Sequence, residues 1–220
     1  KNTFLLGDPS HTTNLGTYNA DFLQDSKRIA PLSKTLNFTA SSKTITDAGS
    51  SDAFDGALVG DFLLIAGASN DANNGTFKIV TVTDTNNIVV DRDLINATNQ
   101  SCTINENKKG ITGLNLQKTG TGAGTIKKGD YLAIHDAASS TSNPVQYVLA
   151  VEDATVGGFS NNFYGVRIEP KLRADIPANH YVKFASPKGQ FRLASNQTSW
   201  SVNEASIYGL AFTAIEVING

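Results

Sequence analysis

"VGDFLLIAG" at residues 59–67 and "KGDYLAIHD" at residues 128–136 are one phrase written twice, and the reading of that phrase decides the fold. Each opens with a Gly-Asp pair, Gly60-Asp61 or Gly129-Asp130. An aromatic follows, Phe62 or Tyr131, and then an isoleucine, Ile65 or Ile134, at the same distance. Glycine accepts the positive φ of a tight turn and aspartate bonds the turn backbone, so the pair marks a strand entrance. The apolar run behind it is too short for a core helix and suits a half-buried strand.

Both copies continue in parallel. The first turns through "GASNDANNG" into "TFKIVTV" and through "DTNN" into "IVVDRDL"; the second turns through "DAASSTSNP" into "VQYVLAV" and through "VGGFSNN" into "YGVRIEPKL". Each is a three-strand meander. The Gly-Asp pairs lie 69 residues apart, whereas Asp91 and Glu169 lie 78 apart, so the second copy carries the longer loop before its third strand. A surface insertion of that kind costs little loop-closure entropy.

A meander buries one face and needs a partner surface, so each copy is expected in a small barrel or sandwich. Flanking strands are available to both: "TLNFTASSKTIT" and "SCTINEN" for the first, "GLNLQKT" and the C-terminal strands for the second. No stretch shows the apolar i, i+3, i+4 spacing of a core helix. The expected fold class is therefore all-β, with two small antiparallel β-barrel or β-sandwich modules. The polar stretch "NENKKG" divides them, giving an inserted accessory module at 36–107 and a C-terminal module at 108–220. Residues 1–35 have no sustained period and read as an extended arm or lead-in outside both modules. Asn74-Gly75 reads as a two-residue hairpin turn.

The composition excludes several functions. Lys and Arg total 18 against 20 Asp and Glu, a net charge of −2 that offers no basic excess for a phosphate backbone, so no nucleic-acid partner is expected. No run approaches the roughly eighteen apolar residues of a membrane span. Cys102 is the only cysteine, which rules out an intrachain disulfide and a multi-cysteine metal knuckle, and its β-like setting reads as structural. The chain opens on Lys1 and contains no methionine, which suggests a processed or truncated product. His11, His135 and His180 are dispersed, and no nucleophile elbow, zincin or P-loop motif appears. Asp61 and Asp130 read as turn residues rather than an acid pair. "SNDANNG" lacks the spacing and distal glutamate of a calcium loop. The reading is a non-enzyme with no cofactor and no metal. Trp200 admits a sugar-stacking role beside the commoner core or interface one.

"TFLLGDPSHTTNLGT" near the start and "KGQFRLASNQTSWSVNEASIYGLAFTAIEVI" at the end, with "KKGDYLAI", "YVLAVED" and "VRIEPKLR" between them, carry a likeness. Together they resemble tailed-bacteriophage virion proteins of the distal-tail type, which have counterparts in gene transfer agents. The motif positions are Gly129, Asp130, Tyr147, Glu169, Pro170, Leu172, Arg173, Trp200, Ser201 and Val202. After "LLGDP" the family continues with Thr-Pro-Arg-Gly or close to it, whereas this chain has "SHTTNLG". The resemblance implies a virion location, in the tail, and a structural protein assembling with copies of itself in a ring and with other phage tail proteins. Phe4, Leu5, Leu6, Phe191, Arg192, Trp200, Tyr208 and Phe212 are the expected interface residues. A carbohydrate- or receptor-binding module facing host surface polysaccharide is the alternative, with residues 36–107 displayed outward.

Overall fold

The computed structural model describes residues 4–6, 15–17, 20–24, 32–120, 123–137, 139, 143–156, 163–177, 179–194, 199–202, 208–211 and 213–217. Two short strands come first, β1 (Phe4–Leu6) and β2 (Phe22–Gln24). Six more follow closely: β3 (Leu32–Thr39), β4 (Thr44–Asp47), β5 (Phe62–Ala66), β6 (Gly75–Asp84), β7 (Asn87–Val90) and β8 (Ala97–Asn105). The chain continues through β9 (Gly113–Lys118), β10 (Gly124–Ile126), β11 (Tyr131–His135), β12 (Pro144–Ala150), β13 (Ala154–Val156), β14 (Phe163–Glu169) and β15 (Tyr181–Lys183). It ends in β16 (Gly189–Leu193), β17 (Ser199–Val202), β18 (Tyr208–Ala211) and β19 (Ala214–Glu216).

Twelve of these strands close into two antiparallel rings, β3-β4-β7-β6-β5-β8 and β2-β9-β14-β12-β11-β15. Numbered by order along the chain, both rings follow the same path, 1-2-5-4-3-6, a Greek-key connection in which the central meander is flanked by strands that return from outside it. The first barrel lies wholly between the first and second strands of the second, so one copy of the topology is nested inside the other. Closure of the second ring rests on short ladders, with two paired positions between β12 and β14 and two between β15 and β2.

The repeated phrase does the same structural work in both. Gly60 and Gly129 have φ of +97° and +101°, the left-handed region glycine occupies without strain. Gly60 N–H donates to Ile79 O and Ile79 N–H to Asp61 O; Gly129 N–H donates to Ala150 O and Ala150 N–H to Asp130 O. Asp61 and Asp130 are buried, and their carboxylates accept from Leu58 N–H and Lys127 N–H respectively, closing the turn. Asp130 accepts in addition from Leu15 and Gly16 N–H, which ties down part of the lead-in. From this anchor the ladders match residue for residue: Phe62 with Tyr131, Lys78 with Leu149, Asp91 with Glu169, Thr44 with Gly113, Asn87 with Gly165 and Val89 with Arg167.

Strand alternation then sorts each barrel into a core and an outer wall. Leu36, Ile45, Leu63, Ile65, Phe77 and Ile88 fill the first, and Leu114, Leu132, Ile134, Val148, Val166 and Ile168 the second.

Two expectations are corrected. Within residues 1–35, Phe22 is completely buried in the second core and β2 completes that ring, while β3 already begins the first ring at Leu32. Three residues are too few to show a period. The connection expected to turn at Asn74-Gly75 is instead a longer loop with one 3-10 turn, Asp71–Asn73. The Asn74 side chain braces it by accepting from Ala68 N–H and donating to Ala68 O.

Candidate functional site

The expected interface residues fall on the small sheets outside the barrels. β1 pairs with β16, setting Phe4 opposite Phe191, Leu5 opposite Gln190 and Leu6 opposite Gly189. On its other side β16 pairs with β19, with Phe191 opposite Glu216 and Arg192 opposite Ile215. Trp200 and Tyr208 lie in the separate β17-β18 ladder, opposite Leu210 and Val202. Phe212 lies outside the described residues. Leu193 faces Ala214 at the end of one ladder and Ser199 faces Ala211 at the start of the next. The β16-β19 ladder thus encloses the separate β17-β18 ladder along the chain.

Its base is fastened to the second barrel by a residue that sequence reasoning missed. Glu216 accepts from Tyr147 N–H at 2.7 Å and pairs with Arg173, with both charged side chains largely shielded from water. Arg173 N–H in turn donates to Gln146, which donates to Lys171 O. Arg173 belongs to the "EP-x-LR" motif, so one half of this pair was visible in the sequence; Glu216 carried no signal. Leu193 and Ile215, 40% and 46% exposed, leave apolar surface on the β16-β19 ladder.

A second built surface joins the two barrels. Phe62 points outward from its own barrel, yet it is completely buried because it enters the core cluster of the other. Two glycines make room: a Cβ on Gly113 would lie 2.1 Å from the Phe62 ring, and one on Gly165 would lie 1.8 Å from Gly60 O. Asn115 braces the same place, accepting from Phe62 N–H at 2.8 Å and donating to Phe62 O at 2.9 Å. Around this plug Arg167 pairs with Asp91 and Glu152, and Lys78 pairs with Glu152. The Arg167 guanidinium lies 5.1 Å and the Lys78 ammonium 5.6 Å from the ring centre. The charges are partly shielded and form a network, the setting in which ion pairs fix geometry.

The corresponding face of the second barrel is a groove of about 600 Å³ lined by Tyr131, Tyr147, Leu149, Glu169, Lys171 and Thr112, among others. The Tyr131 and Tyr147 rings stack with centroids 4.8 Å apart and planes within 5°. Glu169, Pro170 and Lys171 at its rim are exposed.

Burial pushes the Cys102 thiol up, away from the thiolate that reactivity requires. His135 and His180, distant in sequence, meet where His180 Nδ1 lies 3.0 Å from His135 O, and His135 packs edge-on against Tyr181. His11 lies outside the described residues. Among the described residues no group of three or more His, Cys, Asp and Glu is placed to hold a metal ion, and no helix is long and apolar enough to cross a membrane.

The chain is thus an all-β protein of two nested antiparallel barrels joined by an aromatic plug. Comparison with protein-family models, with curated proteins and with solved structures finds no match.

Proposed function

We propose that this chain is a non-catalytic structural component of a bacteriophage virion, a distal-tail or tail adaptor protein. It assembles into a ring of its own copies through strand and arm contacts and meets other tail proteins there. The motifs at Gly129-Asp130, Glu169-Pro170, Leu172-Arg173 and Trp200-Ser201-Val202 are the source of this reading. The observation that carries it furthest is the distribution of strand edges. Every barrel strand has a partner on both sides, though over only two positions at β12-β14, β11-β15 and β15-β2, and among the described residues the strands with a wholly open outer edge lie in the small sheets. Foremost among these are β1-β16-β19 and the two-stranded β17-β18 sheet. An unpaired edge is a template for a strand from a neighbouring chain. A two-stranded ribbon such as β17-β18 is marginal alone in water, so a partner surface would complete it.

Electron microscopy of the native particle, with class averages of the tail end, tests the proposal. The expected result is this chain in a closed ring at that end. A chain that decorates the capsid, or one that stays free of the particle and saturably binds host polysaccharide, would replace this reading with surface decoration or receptor binding.

A further inference from the structure

We infer that the β17-β18 ribbon is a self-association element whose two faces fit each other, so that the ribbon of one copy stacks on the ribbon of the next. The inference rests on the proposed function for one premise, that copies form a ring. Its own ground is the register of the ladder.

Residues directly opposite in an antiparallel ladder share a face, and so do residues two apart along a strand. Trp200 lies opposite Leu210 and Val202 opposite Tyr208, which puts these four residues on one face. Ser199 lies opposite Ala211 and Ser201 opposite Gly209, which puts those four on the other. One face thus carries two aromatics and two branched aliphatics, and nothing on the other is larger than serine. None of the eight is charged.

Among the described residues β17 and β18 pack closely on each other and on no other strand, whereas β16, in the neighbouring ladder, packs on β12 of the second barrel. Two strands alone are marginal in water, so the large face calls for a cover. The small face of another copy's ribbon supplies one. Gly209, opposite Ser201, leaves the middle of that face low, and the chain already seats an aromatic on glycines once, where Phe62 is buried over Gly113 and Gly165. A stack of uncharged ribbons also desolvates no charge.

Large face on large face would close as a two-fold dimer and go no further. Large on small is heterologous: each added copy leaves one face of each kind free at the ends, so the contact repeats and can close a ring.

Trp200 is the only tryptophan, so its emission reports on the large face directly. Sedimentation velocity and tryptophan emission of the full chain, from about 1 μM to about 1 mM, span the affinities of so small a contact. Association beyond a dimer is expected, with emission moving to shorter wavelength in step. Ser201→Arg blocks the small face and Leu210→Asp the large one. Neither position lies in a barrel strand, and near-UV circular dichroism checks that each variant keeps its fold. Each alone should associate about tenfold more weakly or worse, because a charge would be buried at the joint. Their equimolar mixture should form a one-to-one heterodimer and stop there, since one intact large face then meets one intact small face. Ser201→Arg that still dimerises alone would overturn the large-on-small pairing in favour of large on large. Association unchanged in both variants would overturn the stack while leaving ring assembly through strand edges standing. Emission that responds to phosphatidylcholine vesicles, and not to protein concentration, would overturn it by making the cover a lipid surface. A chain monomeric throughout would overturn the stack as well, and class averages of the particle would judge the ring without it.

Discussion

The two barrels share a turn, a strand path and a register, and they differ in what covers one outward aromatic. Phe62 and Tyr131 occupy the same place after the same Gly-Asp turn, yet one is completely buried in another barrel's core and the other is half-buried beside a groove. Nothing within either phrase makes that difference. It is made by Gly113 and Gly165, which lie on strands of the other barrel and leave a hollow the size of a ring. A repeated module thus fixes the shape of a surface, and the wall it meets decides whether the surface becomes a core or stays available.

The sharpest way to break the comparison is to fill the hollow. Gly165→Ala drives a Cβ into Gly60 O and cannot be absorbed by a side-chain rotation, because the obstacle is backbone. The expected cost is about 3 kcal/mol, at the upper end of overpacking changes, with faster proteolysis near residues 106–112 as the barrels disengage. Asn87→Gly, the matched change on the first barrel, adds backbone entropy to the unfolded chain and removes the acceptor of Thr46 Oγ1 and a donor to Asp84, so a cost of about 1–2 kcal/mol is expected. Thermal and denaturant melts of both variants decide the matter; equal costs would mean that the two walls are not functionally distinct.

Removing the plug is the complementary change. Phe62→Ala empties a fully buried site and is expected to cost about 3–4 kcal/mol, whereas Tyr131→Ala removes a half-buried ring and is expected to cost about 1–2 kcal/mol. Denaturant titration of the two variants side by side measures the ratio. The reverse order would show that Tyr131, and not Phe62, carries the larger share of core burial.

What could be read from the sequence follows from how far apart the determining residues stand. The meanders, the turn role of Asp61 and Asp130 and the all-β architecture were legible because each depends on residues within about ten positions of one another. Ring closure by Phe22–Gln24 was not, since a three-residue strand has no period and its partners, around Lys118 and Tyr181, lie far along the chain. Glycine at 113 and 165 is legible as glycine but not as a receptacle, because the ring that fills the space comes from β5. The strands β16 to β19 were visible one by one, but the registers that pair them and the Glu216 anchor required the fold.

The third test concerns the lead-in. Asp130 accepts from Leu15 and Gly16 N–H as well as closing its own turn, and Thr17 bonds Thr125. Asp130→Ala removes the acceptor from several backbone donors at once, so a loss of about 2 kcal/mol is expected together with early cleavage at the N-terminal segment. If Asp130→Ala melts like the wild type and is cut no faster, the strap is not held by this carboxylate.

The smallest effect separates the barrels by pH. Burial opposes ionisation of Asp47 in the first barrel, but donation from Ser51 N–H and Oγ, Gly49 N–H and Ala53 N–H outweighs it and holds the carboxyl below its ordinary value. In the second barrel Asp175 is held low by Lys109 N–H and then by Lys108. A carboxylate whose folded pKa lies below its unfolded one adds stability that is fully present above the unfolded value, near 4, and fades as the pH falls through the folded value. Both groups should therefore hold the protein from neutrality down to about pH 4 and release it below. Asp47→Asn, with the isosteric amide retaining part of the turn, is expected to be less stable than the wild type at pH 6 by about 1 kcal/mol. The gap should narrow steadily from about pH 4 to about pH 2. Asp175→Asn should behave alike but with a smaller gap, because its side chain is 56% exposed against 1% for Asp47 and water screens its partners. Urea melts of the three proteins across that range read both gaps, and a gap that widened in acid would mean that burial, not the four donors, governs the Asp47 carboxyl.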